Sequence, residues 1–552
     1  MGLIKLEYKD KYIENIVPET SLFEISKLMQ EDFEFPIIGA KLNNQMVSLN
    51  TLVTGDGKVS FYDRGDTIGN RIYGRSIEFL VSVAAKRAIS SKADVLISYS
   101  LDNGIYCEVT GPKVTEKELE VLEKEMHNLA KQKLPFTRSV VSRFDAIKHF
   151  EKLGLKDKVR HLSYTSNSTV ELYKLTDVYD YFFGPLVNDT GQIDQFKITC
   201  LCPNCFVISY PSVRHPETVR KYNHHELIYN KYKEYQIWGE MVGLSMVSDL
   251  NDLGANVQYP DAIRMCETYY EDQLSVIAKE IHRKTNIKIV LISGPSSSGK
   301  TTSAKKLSLY LRANGLKPHQ ISLDDYFIDR EKTPKDENGI YDFACLEALD
   351  VKLFNEQLNQ LLNGEKVLLP KFDFVLGKQM LNQTELQLGK DDVLIVEGIH
   401  GLNDELTKDI SRETKFKIYV TPIQQLKIDN HNRVKTTDLR KIRRIVRDNR
   451  FRGASAEATL KQWPNVDKEA LDYVYPHQDD ADALINSALS YELGVLRTFA
   501  EPLLYGIKAD SEEYPEAIRL INLLRQFLPI TSEYVPNNSI LREFIGEGVF
   551  ND

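Results

Sequence analysis

The stretch GPSSSGKTT, beginning at Gly294, constrains this chain more than any other nine residues in it. It follows the apolar run IKIVLIS, precedes the helix-like SAKKLSLYL, and fits G-x-x-x-x-G-K-[ST] at Gly294, Gly299, Lys300 and Thr301. The glycines let the backbone curl so that successive N–H groups point inward at phosphate oxygens. The helix that follows presents its positive end to the same charge. A Ser/Gly-rich linker has no reason to sit between a buried strand and an amphipathic helix. The reading is a cradle for a nucleotide's phosphates, made by Gly294, Pro295, Ser296, Ser297, Ser298, Gly299, Lys300, Thr301 and Thr302. In it Lys300 reaches the β- and γ-phosphates and the Thr301 hydroxyl ligates Mg2+.

Binding phosphate is not yet transferring it. Transfer also needs a base for the acceptor hydroxyl, a carboxylate to anchor metal, and cations to neutralise the moving group. ISLDDYF places Asp324 and Asp325 at the end of a second apolar strand, and DVLIVEGIH places Glu397 at the end of another. Ligands of open α/β sheets bind at that edge. This βαβ-like alternation predicts a parallel sheet with crossover helices. TTDLRKIRRIVRDNRFRG carries Arg440, Arg443, Arg444 and Arg447 at i, i+3, i+4 and i+7, a shared helical face read as an anion clamp.

With 552 residues the chain has room for three or four domains. A net charge of −9 argues against a constitutive nucleic-acid coat or an anionic-membrane binder, so RNA binding by the front half has no support from charge. No apolar stretch approaches the roughly 18 residues that span a bilayer. MGLIKLEYKD lacks the apolar core of a leader, and a cytoplasmic protein with no membrane partner is expected. Six cysteines are too few for a disulfide framework. Cys200, Cys202 and Cys205 cluster in TCLCPNCFVISYP, but zinc wants four ligands, and the alternating flanks predict a hairpin around a Pro-Asn turn.

Along the chain, residues 1–65 read as a small α+β unit with an opening hairpin, a short helix and two strands around an Asn-Asn turn. Residues 66–245 mix helices (RSIEFLVSVAAKRAI, EKELEVLEKEMHNLAKQ) with strands (ADVLISYSL, GIYCEVTG, FVISYP). A helical linker is expected over 246–285, the P-loop domain over 286–500 and a helical extension over 501–552.

Residues 286–500 resemble the uridine kinase/phosphoribulokinase family of P-loop kinases, through LISGPSSSGKTT, ISLDDYF, YDFACLEALD, LPKFDF, IVEGIHGLN and RRIVRDNRFRG in that order. The resemblance implies that Asp324 is the base for a sugar 5′-hydroxyl and that Glu397 holds Mg2+ with Thr301. It implies that Arg444, Arg447 and Arg452 belong to a lid over the phosphates, with Lys300, Arg444 and Arg447 taking catalytic roles. Asp342, Phe372, Asp373 and Arg444 are the expected acceptor pocket. Three departures fall on that side: Phe372 where many uridine kinases have tyrosine, Gly377 where they have a base-contacting histidine, and Ala454 where an arginine often follows the lid Arg-Gly. The implied activity is phosphorylation of a nucleoside, uridine or cytidine, by ATP or GTP with Mg2+, in a homo-oligomer. Two alternatives stay open. One is a regulatory P-loop NTPase with an RNA- or nucleotide-sensing front. The other is a kinase of another small alcohol or sugar phosphate, for which Arg433 and Lys435 are the candidate acceptor-phosphate ligands.

The front half is similar to the TGS domain (1–65) and the following editing domain of threonyl-tRNA synthetases, LDNGIYCEV and DYFFGPLV being the matching stretches. The two histidines of the editing motif fall on Arg75 and Phe79, and its later Cys and His on Phe182 and Leu186. Metal binding and ester hydrolysis of that kind are therefore not expected, and the adjacent His224 and His225 do not restore them. The combined architecture resembles the long nucleoside kinases of bacteria and some microbial eukaryotes, as do HNRVKTTDLRKIRRIVRD and WPNVDKEALDYVYPHQDDADALINSAL. The expected fold class is an α/β P-loop kinase domain preceded by a small α+β ubiquitin-like domain and an α+β editing-like domain.

Overall fold

The computed structural model describes residues 3–102, 104–336 and 339–550. Met1, Gly2 and Asn103, the last within LDNGIYCEV, lie outside the described residues. The first unit is a mixed sheet in the order Lys11–Ile16, Ile4–Tyr8, Gly57–Tyr62, Gly39–Leu42, Gln45–Val47, backed by the helix Leu22–Met29. The Asn43-Asn44 turn places both residues at positive φ (48° and 62°), a conformation asparagine tolerates and that matches strand twist in a tight hairpin. The core of this unit is its own, centred on Leu6, Leu22, Val53 and Val59, none of them exposed.

The second unit packs a long helix, Thr67–Ala88, against an antiparallel sheet in the order Lys197–Cys202, Cys205–Ser209, Gly104–Thr110, Asp94–Leu101. That helix begins eight residues before the expected RSIEFLV segment. Two glycines hide its start in the sequence, and both are there for close packing: a Cβ on Gly69 would fall 1.7 Å from the Asp63 carbonyl oxygen, and one on Gly74 2.6 Å from the Tyr210 hydroxyl. The cysteine-bearing segment forms the expected hairpin, with Asn204 at φ 67° in its turn. His224 and His225 are not helical; they precede the helix Glu226–Val242, and His225 Nδ1 lies 2.8 Å from Asp479.

The third unit is a fully parallel sheet in the order Lys317–Ser322, Asp392–Glu397, Ile289–Ser293, Lys415–Thr421, Ala483–Asn486, with helices on both faces. Ile289–Ser293 is buried at every residue, as a central parallel strand requires. The 25-residue helix Tyr259–Arg283 lies against the helix Lys300–Ala313 and shares this unit's core. Past position 500 the chain is less helical than its pattern suggests. After Glu492–Tyr505 and Tyr514–Leu524 it runs mostly in turns around Pro529 and Pro536 and returns to the start of Lys300–Ala313.

A buried ionic network joins the second and third units. Lys158 pairs with Asp180 (1% exposed each) and with Asp429, which is fully buried, and His431 bonds both Asp180 and Asp94. Burial alone pulls the His431 pKa down, but the carboxylates of Asp180 and Asp94 push it up to about 10. The imidazolium is thus locked in its charged form at neutral pH.

Candidate active site

The phosphate loop needs both of its glycines. Gly299 sits at φ 87° at the head of Lys300–Ala313, and a Cβ on Gly294 would fall 2.1 Å from the Val420 carbonyl oxygen. Ser297 Oγ and Ser298 Oγ are buried and have no hydrogen-bond partner among the described residues. Leaving such a hydroxyl unpaired costs roughly 1–3 kcal/mol, so the loop is built around a polar occupant.

Lys300 lies in the cradle, its Nζ 3.3 Å from the Pro295 carbonyl oxygen. Burial lowers its pKa, against the pull of Glu397 and Asp324. The Thr301 hydroxyl donates to Glu397 Oε1 at 3.2 Å. Burial lifts the Glu397 carboxyl to about 7, Lys300 opposing and Asp324 adding to the rise. In its ionised form this carboxylate, beside a hydroxyl at the end of a strand, is a donor set suited to a hard divalent cation, whose charge would offset the burial. Asp324 lies in the turn Leu323–Tyr326, at the C-terminal edge of the sheet, its side chain open to the cleft. The protein crowding its other sides raises its pKa, Lys300 opposing and Asp325 adding.

The four arginines on one helical face divide in two. Arg443 is fully buried, paired with the equally buried Glu492 (2.7 and 3.0 Å), and donates to the Ser487 carbonyl oxygen. Arg440, also fully buried, donates to the Ser296 carbonyl oxygen at 3.0 Å and to the Tyr475 hydroxyl at 2.9 Å. Both prop the loop from beneath; Arg443 is fully committed to its partners, while Arg440 Nη2 is buried with no partner among the described residues, and the carboxylate and carbonyl partners of the two lie far away in sequence. Arg444 donates to Ser296 Oγ at 2.8 Å, Arg447 and Arg452 pair with Asp448, and Arg452 acts on Asp324 across the cleft.

On the acceptor side, Asp342 accepts from the Ala344 and Cys345 amides and from the Tyr473 hydroxyl at 2.7 Å. Phe372 is buried against Phe327 and Phe374, ring centroids 5.6 and 5.1 Å away. Asp373 does not face this pocket as a free ligand: its Oδ1 caps the hairpin turn, accepting from the Val375 and Leu376 amides at 2.9 Å each. Gly377 is in that turn at φ 66°, with Arg330 where a Cβ would go (2.9 Å). Arg433 and Lys435 do not join the acceptor side. Arg433 donates to Ser100 and lies 3.6 Å from Glu78, and Lys435 lines a cavity shared with the front half.

Sequence reasoning missed the chain's end. Glu543 accepts from the Thr302 hydroxyl at 2.5 Å and acts on Lys300, while Ile540 fills the space a Cβ on Gly299 would need. Nothing in NNSILREFIG signals that placement. In the second unit, the four positions that the resemblance aligns with the editing motif do converge. Phe79 and Phe182 rings lie 5.3 Å apart in one core with Leu186, and Arg75, a turn before Phe79, donates to the Pro185 carbonyl oxygen at 2.8 Å.

Residues 289–492 match the model of the phosphoribulokinase/uridine kinase family. The front half is similar to threonine–tRNA ligases: 30% identical over 203 residues to that of Syntrophotalea carbinolica and 32% over 163 residues to that of Burkholderia mallei. These alignments cover 36% and 29% of this chain, and the chain spans only 32% and 26% of the length of those ligases. Among solved structures, a putative fructose transport system kinase from Silicibacter is 17% identical over 38% of this chain and 98% of its own (TM-score 0.27). A possible uridine kinase from Bacillus stearothermophilus is 24% identical over 27% and 79% (TM-score 0.23).

Proposed function

We infer that residues 289–492, which carry a phosphoribulokinase/uridine kinase family domain, transfer the γ-phosphoryl group of ATP or GTP to a nucleoside 5′-hydroxyl, with uridine or cytidine the first acceptors to try. The observation that carries the reading is the meeting, at one sheet edge, of a phosphate loop with two unpartnered buried hydroxyls, Lys300, the Thr301–Glu397 pair and the open carboxylate of Asp324. Asp324 takes the proton of the hydroxyl as its oxygen forms the new bond to phosphorus. The bond to the bridging oxygen breaks, and the nucleoside diphosphate leaves with that electron pair. Enclosure raises the Asp324 pKa, which improves it as a proton acceptor, while Lys300 keeps it ionised. Arg444, Arg447 and Arg452 approach the transferring group from the helix Thr436–Arg452. Mg2+ would be held by Thr301 and Glu397 and would supply charge neutralisation for the phosphates.

Asp342, held by Tyr473, and buried Phe372 offer an acidic and an aromatic surface to an acceptor, with no imidazole at Gly377 to read a base. We read the front half as an editing-like scaffold put to another use: of the four positions aligned with the editing motif, Phe79, Phe182 and Leu186 are packed in an apolar core and Arg75 lines a cavity. The test is purified full-length protein with Mg-ATP or Mg-GTP and a panel of nucleosides, followed by chromatography for monophosphates. A monophosphate from at least one nucleoside is expected. No turnover of any nucleoside, with Asp324→Asn indistinguishable from wild type in nucleotide hydrolysis, would sink the reading.

A further inference from the structure

A cavity of about 1770 Å3 opens between the front half, the helix Thr436–Arg452 and the C-terminal helices. It is larger than the roughly 300–1,000 Å3 of an ordinary small-molecule site. Its charge is uneven. Arg71 acts on Arg75, Lys435 and Lys441, and Arg519 acts on Arg75 and Lys441, so five cations of its wall lie near one another. Two carboxylates form ion pairs among them, and a third, Glu78, acts on Arg75 and Lys435 without pairing with either. Glu516 takes Arg71 (2.7 Å), Arg519 (2.8 Å) and Lys441, and Asp438 takes Arg519 (2.6 Å). Arg75 and Lys435 make no ion pair among the described residues. Glu512 and Glu513, also on the wall, act on Lys41 and are not among the groups bearing most strongly on those two.

The two spare cations show the strain of their position. Burial lowers the Lys435 pKa to about 7, Arg433 and Arg71 adding to the fall, and burial lowers that of Arg75 to about 10, against Glu78. Lys435 is also the N-cap of the helix Thr436–Arg452; the Asp438 amide bonds the Lys435 carbonyl oxygen, but among the described residues no side chain caps that end and the Thr436 and Thr437 amides have no partner, beside the Thr437 side chain on the cavity wall. Two basic side chains without ion pairs, a hydroxyl and two helix-start amides together match a phosphate dianion, whose charge would hold Lys435 protonated, better than a lone carboxylate. Half-buried Phe183 and Tyr62 offer apolar wall for the rest of a small molecule.

We propose that this cavity binds the phosphate group of a small phosphorylated molecule between Arg75 and Lys435, at a site separate from the phosphate loop. The same helix that starts at the cavity delivers Arg440 and Arg444 to Ser296 of the loop, so an occupant sits at the near end of a rigid rod whose other face holds the nucleotide cradle. Arg75 stands at one of the positions aligned with the editing motif, and the other three, Phe79, Phe182 and Leu186, are apolar.

The experiment is calorimetric titration of full-length Lys300→Ala protein, in which the loop's own phosphate grip is weakened, with inorganic pyrophosphate and separately with AMP. Saturable binding of at least one probe is expected, and adding Lys435→Gln or Arg75→Gln should weaken it at least tenfold. Melting temperature checks folding, and Lys435→Gln, on the cavity wall, guards against loss of fold in Arg75→Gln. Crystals of the wild-type protein soaked in tungstate should show an anomalous peak between Arg75 and Lys435. Absence of that peak, or affinity that Lys435→Gln leaves within twofold, overturns the proposal.

Discussion

At the phosphate loop, two serine hydroxyls are buried without partners among the described residues, a lysine is held among carboxylates, and a glutamate is lifted to about 7. At the positions aligned with the editing motif, Phe79, Phe182 and Leu186 are all buried in one apolar core, and the polar Arg75 has a backbone carbonyl to bond. Both regions hold several motif positions together in space. Only the first holds buried polar atoms with no hydrogen-bond partner among the described residues, whereas Arg75 lacks an ion pair but keeps a hydrogen bond, and groups without any partner persist where something binds. Convergence of motif positions is thus a weak sign of chemistry; unpaired polarity at the convergence is the stronger one.

The sharpest break of the comparison is Asp324→Asn. It keeps size and loses the base, so kcat should fall about 10²–10⁴-fold, measured as monophosphate formed, with nucleotide binding retained. Next is Arg443→Ala, which leaves the fully buried Glu492 without its partner. Stability should drop by about 3–5 kcal/mol, read by denaturant unfolding, because an uncompensated buried charge is left behind. On the other side of the comparison, Phe182→Cys and Phe79→His would rebuild part of the editing pattern. Each should cost about 2–4 kcal/mol of stability by cavity formation or polar burial, with no gain of ester hydrolysis on an aminoacyl ester.

A smaller effect tests the sign of the Glu397 shift. A carboxyl whose folded pKa is raised to about 7 binds its proton more tightly folded than unfolded. The fold therefore loses stability as pH rises from about 4.5 to about 7 and loses no more above that. Glu397→Gln removes the term, so without Mg2+ the variant should melt above wild type at pH 8 and level with it near pH 4.5, while its activity falls. A melting difference that does not change with pH contradicts the shift.

Much of the third unit was legible in the sequence, because parallel strands are buried on both faces and read as unbroken apolar runs such as IVLIS and VLIVE. The Asn43-Asn44 hairpin was legible for the same local reason: its turn residues are the ones that accept positive φ. The start of Thr67–Ala88 was not, since Gly69 and Gly74 look like loop residues until their neighbours are known. The arginine face shows the same limit. Periodicity placed Arg440, Arg443, Arg444 and Arg447 together, but Glu492, Ser487 and Tyr475, which separate props from clamp, are set by tertiary packing. Glu543 beside Thr302 and the Arg75–Lys435 cavity depend wholly on contacts between segments hundreds of residues apart.

The central claim is that the third unit moves a phosphoryl group onto a nucleoside hydroxyl through Asp324. Phosphorus NMR of full-length protein with Mg-ATP and uridine, cytidine or another nucleoside of the panel tests it most directly. The account predicts a 5′-monophosphate resonance growing in step with ADP for wild type and lost in Asp324→Asn. ADP and inorganic phosphate accumulating at the same rate with and without every nucleoside, unchanged by Asp324→Asn, would contradict it.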